Sequence, residues 1–241
     1  MILYVQMDGT GVPVVKKETV GRQGKIEGQP AHTREVKLGC VFTQTTWDQE
    51  GYPIRAPDST TYTGGIETAE EFGRRLYQET WKRGWSHALI RVVMGDGAEW
   101  IWNLAALHFP GAIHIVDLYN ARQHLWELAR RLYPNDQGKQ RAWMKVHPKR
   151  LLDKGKIEKL VGVLRAIKSR NPEAAEKIRN EAYYFERNAE RMRYPQFRRQ
   201  HLDVRTSAQE QRNRDAKCNG LTSRCLEEKS RAAGGRDLVC P

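Results

Sequence analysis

The stretch Leu89-Ile-Arg-Val-Val-Met-Gly-Asp-Gly97 decides how this chain folds. From Ala88 to Met94 the run is nearly continuous and apolar, the pattern of a strand covered on both faces. It stops at a Gly-Asp-Gly turn, and Ala98 to Phe109 then reads as a helix until Pro110 and Gly111 end it. Ala112 to Val116 repeats the buried strand, and Leu118 to Tyr133 repeats the helix, which ends at Pro134. Two strands, each followed by a helix, predict parallel pairing with helices laid on the sheet.

Toward the N-terminus the period changes to that of antiparallel strands. Residues 2–7 and 12–15 read as one apolar strand interrupted by Gly9, Thr10 and Gly11. Residues 16–33, rich in glycine and charge, read as an exposed hairpin-type loop. Glu35 to Phe42 alternates, with Val36, Leu38, Cys40 and Phe42 on one face of a half-buried strand. After a loop holding proline and aspartate, Ser59 to Thr63 is a third, β-branched strand. Thr68 then opens a helix: its hydroxyl can cap the amide of Glu71, whose carboxylate reaches back to form a capping box. Phe72, Leu76 and Thr80 share one face of that helix, and Gly84 closes it.

The resulting order is β-β-β-α-β-α-β-α, an α/β fold with a mixed sheet and helices flanking it. This is the order of elements in ribonuclease-H-like domains, and it assigns residues 1–135 to a core of that kind. About three basic helices over residues 138–193, broken at Pro148 and Pro172, make residues 136–199 a basic helical region. Residues 200–241 differ in kind. From 201 onward there is no Phe, Trp or Tyr, yet three of the four cysteines lie there. So little apolar surface cannot offset chain entropy, and a disordered tail is expected.

Charge is segregated along the 241 residues, whose formal net charge is +12. Residues 1–120 hold 12 basic and 14 acidic side chains, residues 121–200 hold 21 and 9, and residues 201–241 hold 8 and 6. The whole excess therefore lies in one helical stretch, which favours a polyanion because each neutralised phosphate releases counterions. Arg122, Arg130, Arg131, Lys139, Arg141, Lys145, Lys149 and Arg150 are the candidate DNA contacts. Trp126, Tyr133, Trp143, Tyr183, Tyr184, Phe185, Tyr194 and Phe197 are interleaved with them at a spacing that turns most of the rings inward. No apolar run approaches the ~18 residues of a membrane-spanning helix. The opening Met1-Ile-Leu-Tyr-Val-Gln-Met-Asp8 lacks the features of a secretory signal. Cysteines at 40, 218, 225 and 240 fit neither a disulfide framework nor a zinc site, so a reducing, cytoplasmic setting is expected.

Three aspartates follow apolar strands directly. Asp8 precedes Gly9-Thr10-Gly11, Asp96 sits between Gly95 and Gly97, and Asp117 follows Ile113-His-Ile-Val116. If the first, fourth and fifth strands are neighbours, all three converge at one end of the sheet. Carboxylate oxygens without His or Cys favour magnesium or manganese. Each Asp can equally cap the turn or helix that follows it. Cys40 reads as core, and His114, within a strand, as a structural histidine. A phosphatase of the haloacid-dehalogenase type is a weak alternative, since Met7-Asp8-Gly9-Thr10 and Gly95-Asp96-Gly97 resemble its motifs. It fails where Gln6 occupies the position of the nucleophilic aspartate, because an amide cannot form an aspartyl-phosphate.

Longer blocks resemble the Kra-type insertion-sequence transposases, bacterial DDE transposases with a ribonuclease-H-like core. They are Tyr4-Val-Gln-Met-Asp-Gly-Thr-Gly-Val-Pro-Val14, Arg34-Glu-Val-Lys-Leu-Gly39, Val93-Met-Gly-Asp-Gly-Ala-Glu-Trp-Ile-Trp-Asn103 and Ile115-Val-Asp-Leu-Tyr-Asn-Ala-Arg-Gln-His-Leu-Trp126. Ala182-Tyr-Tyr-Phe-Glu-Arg-Asn188 and Met192-Arg-Tyr-Pro195 continue the resemblance, which spans about residues 3–199. It implies metal-dependent cleavage and transfer of DNA strands, with Asp8 and Asp96 as the first two catalytic, metal-holding residues. A two-metal site for Mg2+ or Mn2+ is implied with them. Asp117 is similar to the Asp of an accessory Asp-x-x-His element, with Asn120 where His is usual. DNA, as element ends and target, is the implied partner, with room for a homo-oligomer and no membrane.

The chain departs from the family pattern after Phe197-Arg-Arg-Gln200. There the pattern runs into a Gly-Ser-Gly block and the catalytic glutamate, whereas His201-Leu-Asp-Val-Arg205 follows here. Glu210, Glu227 and Glu228 lack the surrounding block and none is assigned. A frameshift near residue 199 is therefore expected, with little or no transposition activity; the alternative function is a non-catalytic DNA-binding or interaction remnant.

Overall fold

A computed structural model describes residues 1–21, 23, 31–204 and 238–240. In chain order its elements are β1 (Ile2–Pro13), β2 (Thr33–Trp47), β3 (Pro53–Arg55), β4 (Thr61–Gly65), α1 (Ala69–Lys82), β5 (Ile90–Gly95) and α2 (Glu99–His108). There follow β6 (Ile113–Val116), α3 (Leu118–Leu132), α4 (Gln137–His147), α5 (Ile157–Ala166), α6 (Pro172–Arg187), α7 (Tyr194–Arg199) and β7 (Leu238–Cys240). They build a mixed sheet in the order β6-β5-β1-β2-β4-β7, with β3 paired to β2.

β1 is the pivot of the sheet, and Leu3 to Met7 are all buried there. On one side it runs parallel to β5, and β5 parallel to β6; on the other it pairs antiparallel with β2, and β2 with β4. Parallel strands need helical crossovers to return the chain to the same edge. Among the described residues the α-helices accordingly begin at residue 69, after β2, β3 and β4.

Helices cover both faces. On one face, a Cβ at Gly39 would lie 2.8 Å from Leu76 of α1, so the helix sits directly on the β2 backbone. A Cβ at Gly95 would likewise lie 2.9 Å from Ile101 of α2. The opposite face carries Tyr4, Gln6 and Asp8, and α3, α6 and the segment after α7 lie over it. Tyr4 Oη accepts the Asp203 amide at 2.8 Å and donates to Gln44 at 2.6 Å, and its ring stacks on Phe42.

The structure corrects several expectations. Gly9, Thr10 and Gly11 do not interrupt the first strand, because β2 is long enough to pair it from Ile2↔Gln44 to Pro13↔Thr33. Their backbone groups are satisfied by the ladder, and the missing side chain at Gly9 leaves room for Glu35 Oε1, 2.7 Å from where a Cβ would be. The exposed loop expected over residues 16–33 begins with a helical turn at Lys16–Glu18, and residues 22 and 24–30 lie outside the described residues. The third strand spans Thr61–Gly65, and the loop before it holds the unexpected strand β3. Leu89, read as buried, is 86% exposed, since its amide closes on Met1 O before the ladder begins. The folded region also passes residue 199: Leu202 and Val204 are buried, and Val204 O accepts the Leu118 amide at 3.0 Å. Within the expected disordered tail, Leu238–Cys240 pairs with β4, while residues 205–237 and 241 lie outside the described residues.

Candidate functional site

Parallel pairing puts the strands that lead to the three aspartates side by side. The ladder between β1 and β5 reaches Gln6↔Met94, and that between β5 and β6 reaches Gly95↔Val116. Asp8, Asp96 and Asp117 therefore lie just past the last pairs of the two parallel ladders.

Local backbone bonds orient each carboxylate. Asp8 Oδ1 accepts the Gly9 amide at 2.8 Å, and Asp96 Oδ1 accepts the Ala98 amide at 2.8 Å, closing the turn into α2. Asp117 caps α3 through the Tyr119 amide at 2.7 Å and is 1% exposed. The capping role open to these residues is thus realised at Asp96 and Asp117. Asp8 and Asp96 stay half-exposed, within reach of a solvent-borne ligand, and Asp117 is sealed beneath α3.

Two hard carboxylates at one strand edge fit a magnesium or manganese ion that keeps waters and takes its other ligands from a substrate phosphate. Among the described residues no group of three or more His, Cys, Asp or Glu side chains is placed to hold a metal ion.

Helix α6 braces the Asp96 turn. Tyr184 Oη donates to the Asp96 carbonyl at 2.7 Å, and its ring lies against Gly97, whose φ is +99°. Burial raises the Tyr184 phenol well above its ordinary pKa, and the Asp96, Glu181 and Asp117 carboxylates add to that. The phenol is consequently a neutral hydrogen-bond donor. The His124 ring stacks on Tyr184 with centroids 3.8 Å apart, and its Nδ1 lies 2.8 Å from Glu181 Oε2. Glu181, only 2% exposed, also pairs with Lys177 at 2.7 Å, and Lys177 with Glu127 at 3.1 Å.

Sequence reasoning missed this network, although it left a signal. Ala174, Ile178, Glu181 and Phe185 follow the helical repeat along the buried stripe of α6, so a glutamate stands where an apolar residue is due. His114 is as expected structural, half-buried and stacked on Trp102. Cys40 is core, 4% exposed.

The predicted DNA contacts divide into two sets. Arg122 is held by Asp153 at 2.6 Å, Arg131 by Glu173 at 3.1 Å and Lys139 by Asp136 at 3.2 Å. Arg130, Arg141, Lys145, Lys149 and Arg150 are exposed on α3, α4 and the turn Pro148–Leu152. Of the interleaved aromatics, Trp143, Tyr184, Phe185, Tyr194 and Phe197 are buried, and Tyr183 is exposed. No family model matches the chain, and comparison with curated proteins finds no significant match.

Proposed function

We propose that the chain is the core of a DDE-type transposase, ribonuclease-H-like in fold, which binds DNA and holds Mg2+ or Mn2+ at Asp8 and Asp96. The observation that carries this reading is that β1 pairs parallel with β5 up to Gln6↔Met94, with Asp8 and Asp96 each two residues past that last pair. The strand order β6-β5-β1-β2-β4, with antiparallel strands on one side of β1 and parallel ones on the other, supports the fold part of the reading.

In such a site, bound divalent ions activate the attacking oxygen and stabilise the leaving one. The chain's own residues do the rest. Asp8 and Asp96 supply hard oxygens at the strand edge. Tyr184 fixes the backbone of Asp96, and Asp117 anchors the start of α3 beside it. The exposed arginines and lysines of residues 121–200 neutralise phosphates and position the duplex without reading bases. The family's glutamate has no counterpart among the assigned residues, and Glu210, Glu227 and Glu228 lie outside the described residues. Strand transfer is therefore expected to be slow, since misplacement of a reacting atom costs about 100-fold.

Calorimetric titration of Mn2+ into the wild type, Asp8→Asn and Asp96→Asn tests the site. Saturable binding that either substitution abolishes supports it, and equal heats from all three proteins remove it. The second reading, a DNA-binding protein without catalysis, draws on the capping bonds made by Asp96 and Asp117. It takes over if Mn2+ fails to bind while DNA binds in a salt-dependent manner.

A further inference from the structure

Between α3, α4 and α6 lies an open groove of about 870 Å3, separate from the strand-end aspartates. Trp126 and Pro134 line it, with Arg130, Arg141, Gln137 and Lys177 around them. Its size is at the upper end of the ~300–1,000 Å3 typical of small-molecule sites. Its cations are not equivalent. Lys177 is balanced by Glu127 and Glu181, and Arg131, also on the wall, by Glu173. Arg130 and Arg141 have no ion-pair or hydrogen-bond partner among the described residues, and both are exposed.

We infer that this groove seats an unpaired nucleotide of the bound DNA strand, with its base on Trp126 and its phosphate between Arg130 and Arg141. The inference rests on the DNA-binding reading above and extends it to single-stranded substrate. A convex basic face is enough for a duplex backbone, whereas a recess pairing an indole with two unneutralised guanidiniums suits a base and its phosphate together. Gln137, an exposed amide on the same rim, offers both donor and acceptor to a base edge.

Position agrees with this role. Trp126 lies nine residues along α3 from Asp117, ~14 Å at ~1.5 Å per residue. The groove and the start of α3 therefore lie within the reach of a few nucleotides of one strand.

The test compares a labelled single strand with a duplex of the same length by fluorescence anisotropy, using the whole chain. Trp126→Ala is expected to weaken single-strand binding roughly tenfold, within the range of losses measured for stacking on one aromatic ring. Duplex affinity should change less than twofold, and Trp126→Phe should keep most single-strand affinity. Arg130→Gln with Arg141→Gln should weaken both. If wild type binds neither DNA, the DNA-binding reading fails and this inference with it. If wild type binds both and Trp126→Ala acts equally on the two, or on neither, the base seat alone is overturned. Millimolar dAMP, which carries the same base and phosphate, should compete with the single strand more than with the duplex, and equal competition with both would overturn the base seat. Should Trp126→Ala fail to fold, photocrosslinking of wild type to a 5-iododeoxyuridine strand decides the matter. A crosslink in the tryptic peptide Gln123–Arg130 supports the seat, and crosslinks confined to other peptides overturn it.

Discussion

Position 97 must be glycine for two separate reasons. Its φ of +99° is open only to a residue without a side chain, and a Cβ would stand 2.6 Å from the Tyr184 ring. Gly97→Ala is therefore expected to destabilise by about 1–3 kcal/mol, the usual cost of a strained backbone position. Tyr184→Phe keeps the ring and loses only the bond to the Asp96 carbonyl, a smaller loss of ~0.5–1.5 kcal/mol. Urea denaturation of both variants checks the order, and a Gly97→Ala variant as stable as wild type would mean that α6 does not press on this turn. Glu181 is the other residue on which much depends. Burial alone would lower the Lys177 pKa, but the bonds to Glu181 and Glu127 outweigh it and raise the value. A pKa raised on folding adds stability that is complete below the unfolded value of ~10.4 and is lost as pH rises through the folded one. Glu181→Ala should cost ~1–3 kcal/mol, less than a fully buried pair because Lys177 is partly exposed and screened. Denaturation at pH 7 measures it, and a neutral effect would show the network to be dispensable.

At the scale of elements, α1 shows how local chemistry sets a boundary. Thr68 Oγ1 accepts the Glu71 amide at 3.2 Å, and Glu71 accepts the Thr68 amide at 3.0 Å, so two donors that α1 leaves unpaired are satisfied. These bonds to Thr68 lower the Glu71 pKa. Thr68→Ala is expected to cost about 1 kcal/mol and to move the Glu71 pKa part of the way back up, since the backbone bond, the larger cause, does not need the hydroxyl. Denaturation with carboxylate NMR titration reads both, and an unmoved Glu71 pKa would contradict the cap. Helix α6 works by contact rather than by capping. Through Tyr184, Glu181 and Lys177 it joins the Asp96 turn to α3, so damage to α6 is expected to reach the strand-end aspartates.

For the whole molecule, pH and salt give the clearest readouts. Burial lowers the pKa of His108 and His114, and the charges of Arg74 and Arg191, respectively, lower them further. The unfolded chain then binds protons first, near the ordinary histidine value of ~6.5. Stability should be complete above that pH and fall as pH drops through it toward the lowered folded values. Replacing His108 and His114 with Asn should flatten the slope below about pH 6.5. An unchanged slope in equilibrium denaturation would place the proton uptake elsewhere. The exposed cations of residues 121–200 predict DNA affinity that falls steeply with salt, each phosphate contact adding about −0.9 to the logarithmic slope. Arg141→Gln with Lys145→Gln should make that slope shallower, and a salt-independent affinity would remove the basic face as the binding surface.

The succession of elements, the Thr68 cap, the buried character of β5 and β6, and the segregation of charge are all legible in the amino-acid order. These are local properties, carried by apolar period, capping residues and breakers within a few positions of one another. The same order carries the three strand-end aspartates, but their convergence was conditional on which strands are neighbours. The neighbours are set in the folded sheet. Pairing of β1 with β5 and of β5 with β6 is a choice among non-local partners that no single segment encodes. The continuation of β1 through Gly9–Gly11 belongs here too, because glycine in isolation reads as a break until a long partner strand uses its backbone bonds. So do the burial of Leu202 and Val204, in a segment whose composition argues for disorder, and the setting of Glu181. A carboxylate on an apolar helical stripe is tolerable only where His124 and Lys177, distant in sequence or on the next turn, arrive to meet it.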